Sequence, residues 1–193
     1  MFNLDAALLE LSKYNSYITD IRREVQLYEQ IYCTEESLAT INANLMDVFK
    51  IVQKSMFLSI LTRVSAVFDS KAYKKDANLS LDYFEDKYRG FATEKLLSDF
   101  EEIKARYEAL NIKAFRNKLI AHNDLSTILG NSSIAHSIGN GDVMQLLDDA
   151  RKFCIELCHC LPGGMQTILK VEPWQLKKGD DGFELLRRLT VGK

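Results

Sequence analysis

Proline and glycine are scarce in this chain, with two prolines and nine glycines among 193 residues. Both prolines, Pro162 and Pro173, fall late. Proline removes a helix hydrogen bond and clashes with the preceding turn, and glycine adds chain entropy that an ordered element must overcome. So few breakers over this length predict long helices and exclude a fold of many short strands and tight turns. No apolar run reaches the roughly 18 residues of a membrane-spanning helix. The opening residues, Met1-Phe2-Asn3-Leu4-Asp5, have neither the basic region nor the apolar stretch of a secretion signal. Those absences lead us to expect a soluble, cytoplasmic protein without a membrane partner.

An excess of either charge is missing too. Twenty-five Lys and Arg against 27 Asp and Glu leave a net charge of −2, with an isoelectric point near 6.0. A nucleic-acid coat protein is ordinarily basic, so any contact with RNA here must rest on a local patch. The four cysteines form no disulfide framework: Cys33 stands alone, and Cys154, Cys158 and Cys160 cluster. Cys154 and Cys158 share a helix face, but Cys160 points elsewhere, and the two-residue spacing of a zinc knuckle is missing. That pattern favours small core side chains over a metal site. His136, in a Ser/Gly-rich stretch, and His159, at a helix end, have no matched partner. Neither a phosphate-cradling glycine loop nor a Ser-His-Asp order nor HExxH occurs. We expect no metal and no cofactor.

What the chain does have is periodicity. Hydrophobic residues make up 47%, enough for one domain with a substantial core. Leu4, Leu8, Leu11, Ile18, Ile21, Val25, Tyr28 and Tyr32 recur at threes and fours, predicting a long helix that buries one stripe. Thr34 is a good N-cap. After it, Leu38, Ile41, Leu45, Val48, Val52, Phe57, Ile60, Leu61, Val64 and Phe68 predict a second continuous helix, antiparallel to the first. Polar residues 70–80 predict a loop. Ser80 then starts a short helix that Gly90 stops, and Thr93 starts another that Asn111 interrupts. Residues 124–141 read as loop and 142–160 as the last bundle helix, ended by Pro162-Gly163-Gly164. The stretch 165–171 is open between a strand and a helical turn. Trp174 is expected to pack on the bundle, and 183–189 to form a short amphipathic helix. The expected fold is all-α: an antiparallel bundle over 1–161 with two long N-terminal helices, and a C-terminal extension over 162–193 packed on it.

The chemistry concentrates in residues 114–124, Ala-Phe-Arg-Asn-Lys-Leu-Ile-Ala-His-Asn-Asp. Arg116 is permanently cationic and can clamp a phosphate with two donors. His122 can give and take a proton near neutral pH. No acidic residue occurs from Ala109 to Asn123, and the combination points to phosphodiester chemistry. The plainer alternative is a surface arginine and a histidine that stabilises a helix C-terminus. On an ideal helix, residues six apart differ by roughly 240° and about 9 Å. One copy therefore converges Arg116 and His122 only if the helix ends or distorts near Asn123-Asp124. Two copies meeting across a two-fold axis can converge them as well.

Arg116-Asn117-Lys118-Leu119-Ile120-Ala121-His122 resembles the Arg-polar-…-His signature of HEPN domains. Upstream, Thr62-Arg63-Val64-Ser65-Ala66-Val67-Phe68-Asp69, then a polar loop and Asn78-Leu79-Ser80-Leu81, resembles the AbiU2-like branch associated with abortive phage infection. The resemblance spans about residues 5–160. It implies a HEPN-like helical bundle and a homodimer whose 116–122 segments share one cleft. It further implies a metal-independent endoribonuclease, acting on RNA in phage defence or as the toxin of a toxin–antitoxin pair, with an antitoxin protein as a further partner. In that reading His122 is general acid or base on the ribose 2′-OH or the leaving 5′-oxygen. Arg116 holds the scissile phosphate. Asn117 orients a catalytic side chain or donates to the phosphate; a surface or capping amide is the alternative. Lys113 and Lys118 either add phosphate attraction or are ordinary solvated lysines. Arg63 either lines the RNA groove or pairs with an acidic neighbour, and Asp69 either fixes the following loop or ends its helix. For both, the structural alternative is favoured. The rival function is a non-catalytic module of the same fold that binds RNA, a nucleotide or a partner protein.

Overall fold

The computed structural model describes residues 2–73, 76–117, 138–139, 141–166 and 173–191. Among them the chain is a helical bundle built from α1 Leu4–Tyr32, α2 Glu35–Asn42, α3 Met46–Val67, α4 Leu81–Tyr88, α5 Glu94–Ala109, α6 Ile112–Arg116, α7 Asp142–Cys160 and α8 Gly182–Val191. Side-chain oxygens start five of these, among them α8, where Asp181 accepts from the Glu184 N–H at 3.1 Å. Asn3, Thr34, Ser80 and Thr93 accept from the backbone N–H of Ala6, Ser37, Tyr83 and Leu96 at 3.1, 3.1, 3.4 and 3.2 Å. Each satisfies a donor that the first helical turn leaves without a partner. Between α3 and α4, where polarity predicts a loop, β1 Ala72–Tyr73 pairs antiparallel with β2 Asp76–Ala77. Asn78 closes this small hairpin, its N–H donating to the Lys71 carbonyl at 3.0 Å and its amide to the Ser70 carbonyl at 2.8 Å.

The helix expected to run unbroken from Thr34 to Phe68 is in fact two helices, α2 and α3. The Asn44 amide donates to the Thr40 carbonyl at 2.6 Å, and Leu45 leaves helical geometry at φ −86°, ψ 58°. Asparagine side chains compete for backbone groups in this way. Ile41, Ile60, Leu61, Val64 and Phe68 are buried as the periodicity predicts, but the stripe fails on either side of the break. Leu38, Leu45, Val48 and Val52, inward on a continuous helix, are 40, 58, 53 and 40% exposed. Ile41, Phe49 and Met56 turn inward with Ile31, Tyr32 and Leu186 into a small second cluster.

Helix α1 is central, packing on α3, α7 and α8. Its buried surface is accordingly wider than one stripe: Tyr14, Asn15, Thr19 and Arg22 are buried beside Leu11, Ile18, Ile21 and Val25. The Tyr14 hydroxyl donates to the Val67 carbonyl at 2.9 Å, and that of Tyr32 to the Phe49 carbonyl at 3.1 Å. Residues late in α1 thus meet residues early in α3. Helix α7 packs against α1 and α5, with Phe153 on Phe100 at 5.8 Å between ring centroids. Cys154 and Cys158 lie in this core, where burial pushes both thiols up and keeps them protonated. After α7, a Cβ on Gly164 would sit 1.8 Å from the Cys158 carbonyl oxygen, so only glycine fits this turn.

Beyond Pro173 the chain is held along one edge of α1. Arg23 donates to the Pro173 carbonyl and Arg22 to the Trp174 carbonyl at 3.1 Å. The Gln26 and Gln30 side chains accept from Leu176 and Gly182 N–H, both at 2.9 Å. Helix α8 then packs on α1 and α2. Among the described residues, no helix is long and apolar enough to cross a membrane.

Candidate functional site

Helix α5 ends at Ala109, and Asn111 takes a left-handed conformation, φ 57°. Asparagine adopts this region more readily than most non-glycine residues, and it lets the chain restart as α6 in a new direction. Ile112 and Phe115 are buried. Phe115 meets Phe57 of α3 edge-on, with centroids 5.9 Å apart. That contact seats α6 on α3, leaving Lys113 exposed and Arg116 and Asn117 half-buried.

Among the described residues the Arg116 guanidinium has two partners. Its Nε and Nη2 donate to the Asn117 Oδ1 at 3.2 and 3.0 Å. Its Nη1 lies 3.7 Å from the Asp69 carboxylate. The second distance is an ion pair and too long for a hydrogen bond, so Nη1 keeps donor capacity. Asn117, its oxygen engaged by the arginine, turns its amide NH2 away as a donor.

Asp69 reaches this point because the end of α3 is pinned to α5. Phe68 stacks on Tyr107 at 4.6 Å between centroids, and Ser65 Oγ and Tyr107 Oη share a hydrogen bond of 3.1 Å. Lys104 donates to the Phe68 carbonyl at 3.3 Å and pairs with Asp82 at 2.7 Å. Burial raises the Tyr107 phenol above its ordinary range; Ser65 and Arg116 pull it down, and Asp69 pushes it further up. The hydroxyl stays protonated at neutral pH.

The residues singled out in the sequence separate into three groups. Arg116 and Asn117 are brought together and joined by Asp69. Arg63 lies elsewhere in its contacts: it pairs with Glu24 of α1 and sits 5.0 Å over the Tyr17 ring, so its charge already has a partner. Lys113 makes no ion pair among the described residues. His122 and Lys118 lie outside the described residues, as does His136. Asp69 as the partner of Arg116 is what sequence reasoning did not assign. The signal was present, since Asp69 closes the upstream motif and Arg116 has no acid nearby in sequence. Among the described residues, no three His, Cys, Asp or Glu side chains gather as a metal site.

The chain matches the family model HEPN_AbiU2, described as AbiU2, over residues 14–178. The match runs past Pro162 and takes in Trp174. No curated protein and no solved structure matches the chain.

Proposed function

The chain belongs to the HEPN AbiU2 family, and from that premise we propose that it is a homodimeric, metal-independent endoribonuclease. Its role is phage defence or the toxin half of a toxin–antitoxin pair, in the cytoplasm, with the bundle of residues 1–161 as the catalytic body. The supporting observation is the pairing of Arg116 with Asp69, which joins the two motif segments that are far apart in sequence.

The chemistry uses RNA's own nucleophile. The ribose 2′-oxygen attacks the adjacent phosphorus, the bond from phosphorus to the 5′-oxygen breaks, and a 2′,3′-cyclic phosphate and a 5′-hydroxyl result. The proton leaving the 2′-hydroxyl and the proton reaching the 5′-oxygen need a base and an acid. His122 serves as one, and the same residue of a second copy as the other, in a cleft shared between two chains. Arg116 offsets the negative charge that grows on the phosphoryl oxygens in the transition state. Asp69 and Asn117 hold the guanidinium from two sides, and the Asn117 amide NH2 is a further donor toward the phosphate. Lys113 and Lys118 add sequence-independent attraction for the backbone.

The test is cleavage of several unrelated RNAs, and of DNA of the same sequence, in EDTA. RNA is cut and DNA survives; RNA left whole removes the proposal in favour of the non-catalytic binding module, and cleavage that EDTA stops removes the metal-independent chemistry. Asp69→Asn provides a finer check. Its ion pair is partly exposed and contributes less than about 1 kcal/mol, so thermal denaturation barely moves. RNA cleavage falls about tenfold because Arg116 loses one of its two supports.

A further inference from the structure

A second cationic site lies on the face of α7 turned toward Trp174. Asp148, Arg151, Lys152, Ile155, Glu156 and His159 line a groove of about 440 Å³ that Trp174 closes on one side. That volume falls within the roughly 300–1,000 Å³ of small-ligand clefts. The groove is preformed, since Arg22 and Arg23 of α1 hold the backbone carbonyls of Trp174 and Pro173.

Its charges do not cancel evenly. The Asp148 carboxylate is taken by Arg22 at 2.7 Å, and Glu156 pairs with Lys152 at 3.8 Å. Arg151 is left over. It lies 4.1 Å over the Trp174 ring, and its buried Nε has no hydrogen-bond partner. Among the described residues it makes no ion pair. Burial, and Arg22 nearby, push its pKa down while Asp148 holds it up; the guanidinium nonetheless remains cationic. A cation held over an indole, with its Nε unsatisfied and an apolar wall at Ile155, lacks an anion that carries an apolar body.

We propose that this groove is a second RNA subsite, binding one nucleotide with its phosphate on Arg151 and its base against Ile155 and the edge of Trp174, whose ring already carries the Arg22 and Arg151 guanidiniums. The identity of the ligand rests on the RNA reading of the Arg116 segment. His159 lines the same groove about two turns further along α7 than Arg151. The site anchors single-stranded RNA away from the scissile bond. Apolar contact and phosphate attraction tolerate any sequence, which suits an anchor rather than a reader of bases.

Trp174 is the sole tryptophan, so its fluorescence reports the groove directly. The full chain carrying His122→Ala, which spares the RNA, is titrated with adenosine 5′-monophosphate and with a short oligoadenylate. Both give a saturable fluorescence change. Arg151→Met, which keeps the side chain's length and removes the charge, weakens both by about tenfold or more, as does omitting the phosphate by using adenosine. Circular dichroism confirms that Arg151→Met folds; should it not, Ile155→Ser, which removes the apolar wall, gives the same weakening. No saturable change, equal affinity in the Arg151 and Ile155 variants, or adenosine binding as tightly as its monophosphate overturns the proposal. Wild-type protein that binds the monophosphate here but leaves all RNA intact overturns the nuclease reading alone.

Discussion

Arg116→Ala and His122→Ala each reduce RNA cleavage by at least about a hundredfold. For His122 the loss follows from proton transfer. Without it the 2′-hydroxyl must lose its proton to water, or the 5′-oxygen must leave as an alkoxide, and positioned acid–base groups contribute about 10²–10⁴ in rate. For Arg116 the loss follows from charge, since the phosphorane carries one more negative charge than the ground state. Removing one fixed donor to such a centre costs about 2.7–4 kcal/mol. The two losses do not add, because a site without either group no longer works as a unit. Arg116→Ala leaves stability nearly intact, since its pair with Asp69 is a partly exposed contact of less than about 1 kcal/mol. A large loss of cleavage with an unmoved denaturation midpoint separates a chemical role from a structural one.

Phe84→Ala destabilises the protein by about 3–5 kcal/mol. Its ring is fully buried and touches three tyrosines, with centroids 5.0 Å from Tyr14, 5.3 Å from Tyr83 and 6.3 Å from Tyr88. Truncation leaves a cavity that these neighbours cannot fill, because each is tethered through its hydroxyl. Tyr14 is tied to the Val67 carbonyl, Tyr88 to Glu10, and Tyr83 to Lys87. The cavity opens where α1, α3 and α4 meet, just before the chain reaches Asp69. Urea denaturation reads the effect as a lower midpoint at unchanged slope.

Much of this architecture is readable locally, and the exceptions are instructive. Thr34, Ser80 and Thr93 announce their helices because capping is decided by the residue itself. Asn111 announces the break before α6 for the same reason. The break at Ala43–Leu45 was not visible, because it uses neither glycine nor proline, only an asparagine amide that outcompetes the helix for the Thr40 carbonyl. Periodicity also understated α1, since a helix packed on several sides buries polar Asn15, Thr19 and Arg22 along with its apolar stripe. Side-chain partners between elements were the least accessible. The sequence favoured an acidic partner for Arg63 over RNA without naming it, and it is Glu24 of α1 that pairs with it. The motif containing Arg116 was evident, yet the acid beside it comes from the end of α3, a proximity fixed by Phe68 stacking on Tyr107. Trp174 was expected to pack on the bundle; that it does so against the guanidiniums of Arg22 and Arg151 depends on the fold alone.

The central claim is that the segment from Arg116 to His122 cleaves RNA with the 2′-hydroxyl as nucleophile. End-labelled RNA incubated in EDTA with wild-type protein and with His122→Ala, followed by analysis of the product ends, tests it most directly. The account predicts 2′,3′-cyclic phosphate and 5′-hydroxyl ends from the wild type and no products from the variant. Intact RNA with the wild type, 5′-phosphate ends, or equal cleavage by the variant would contradict it.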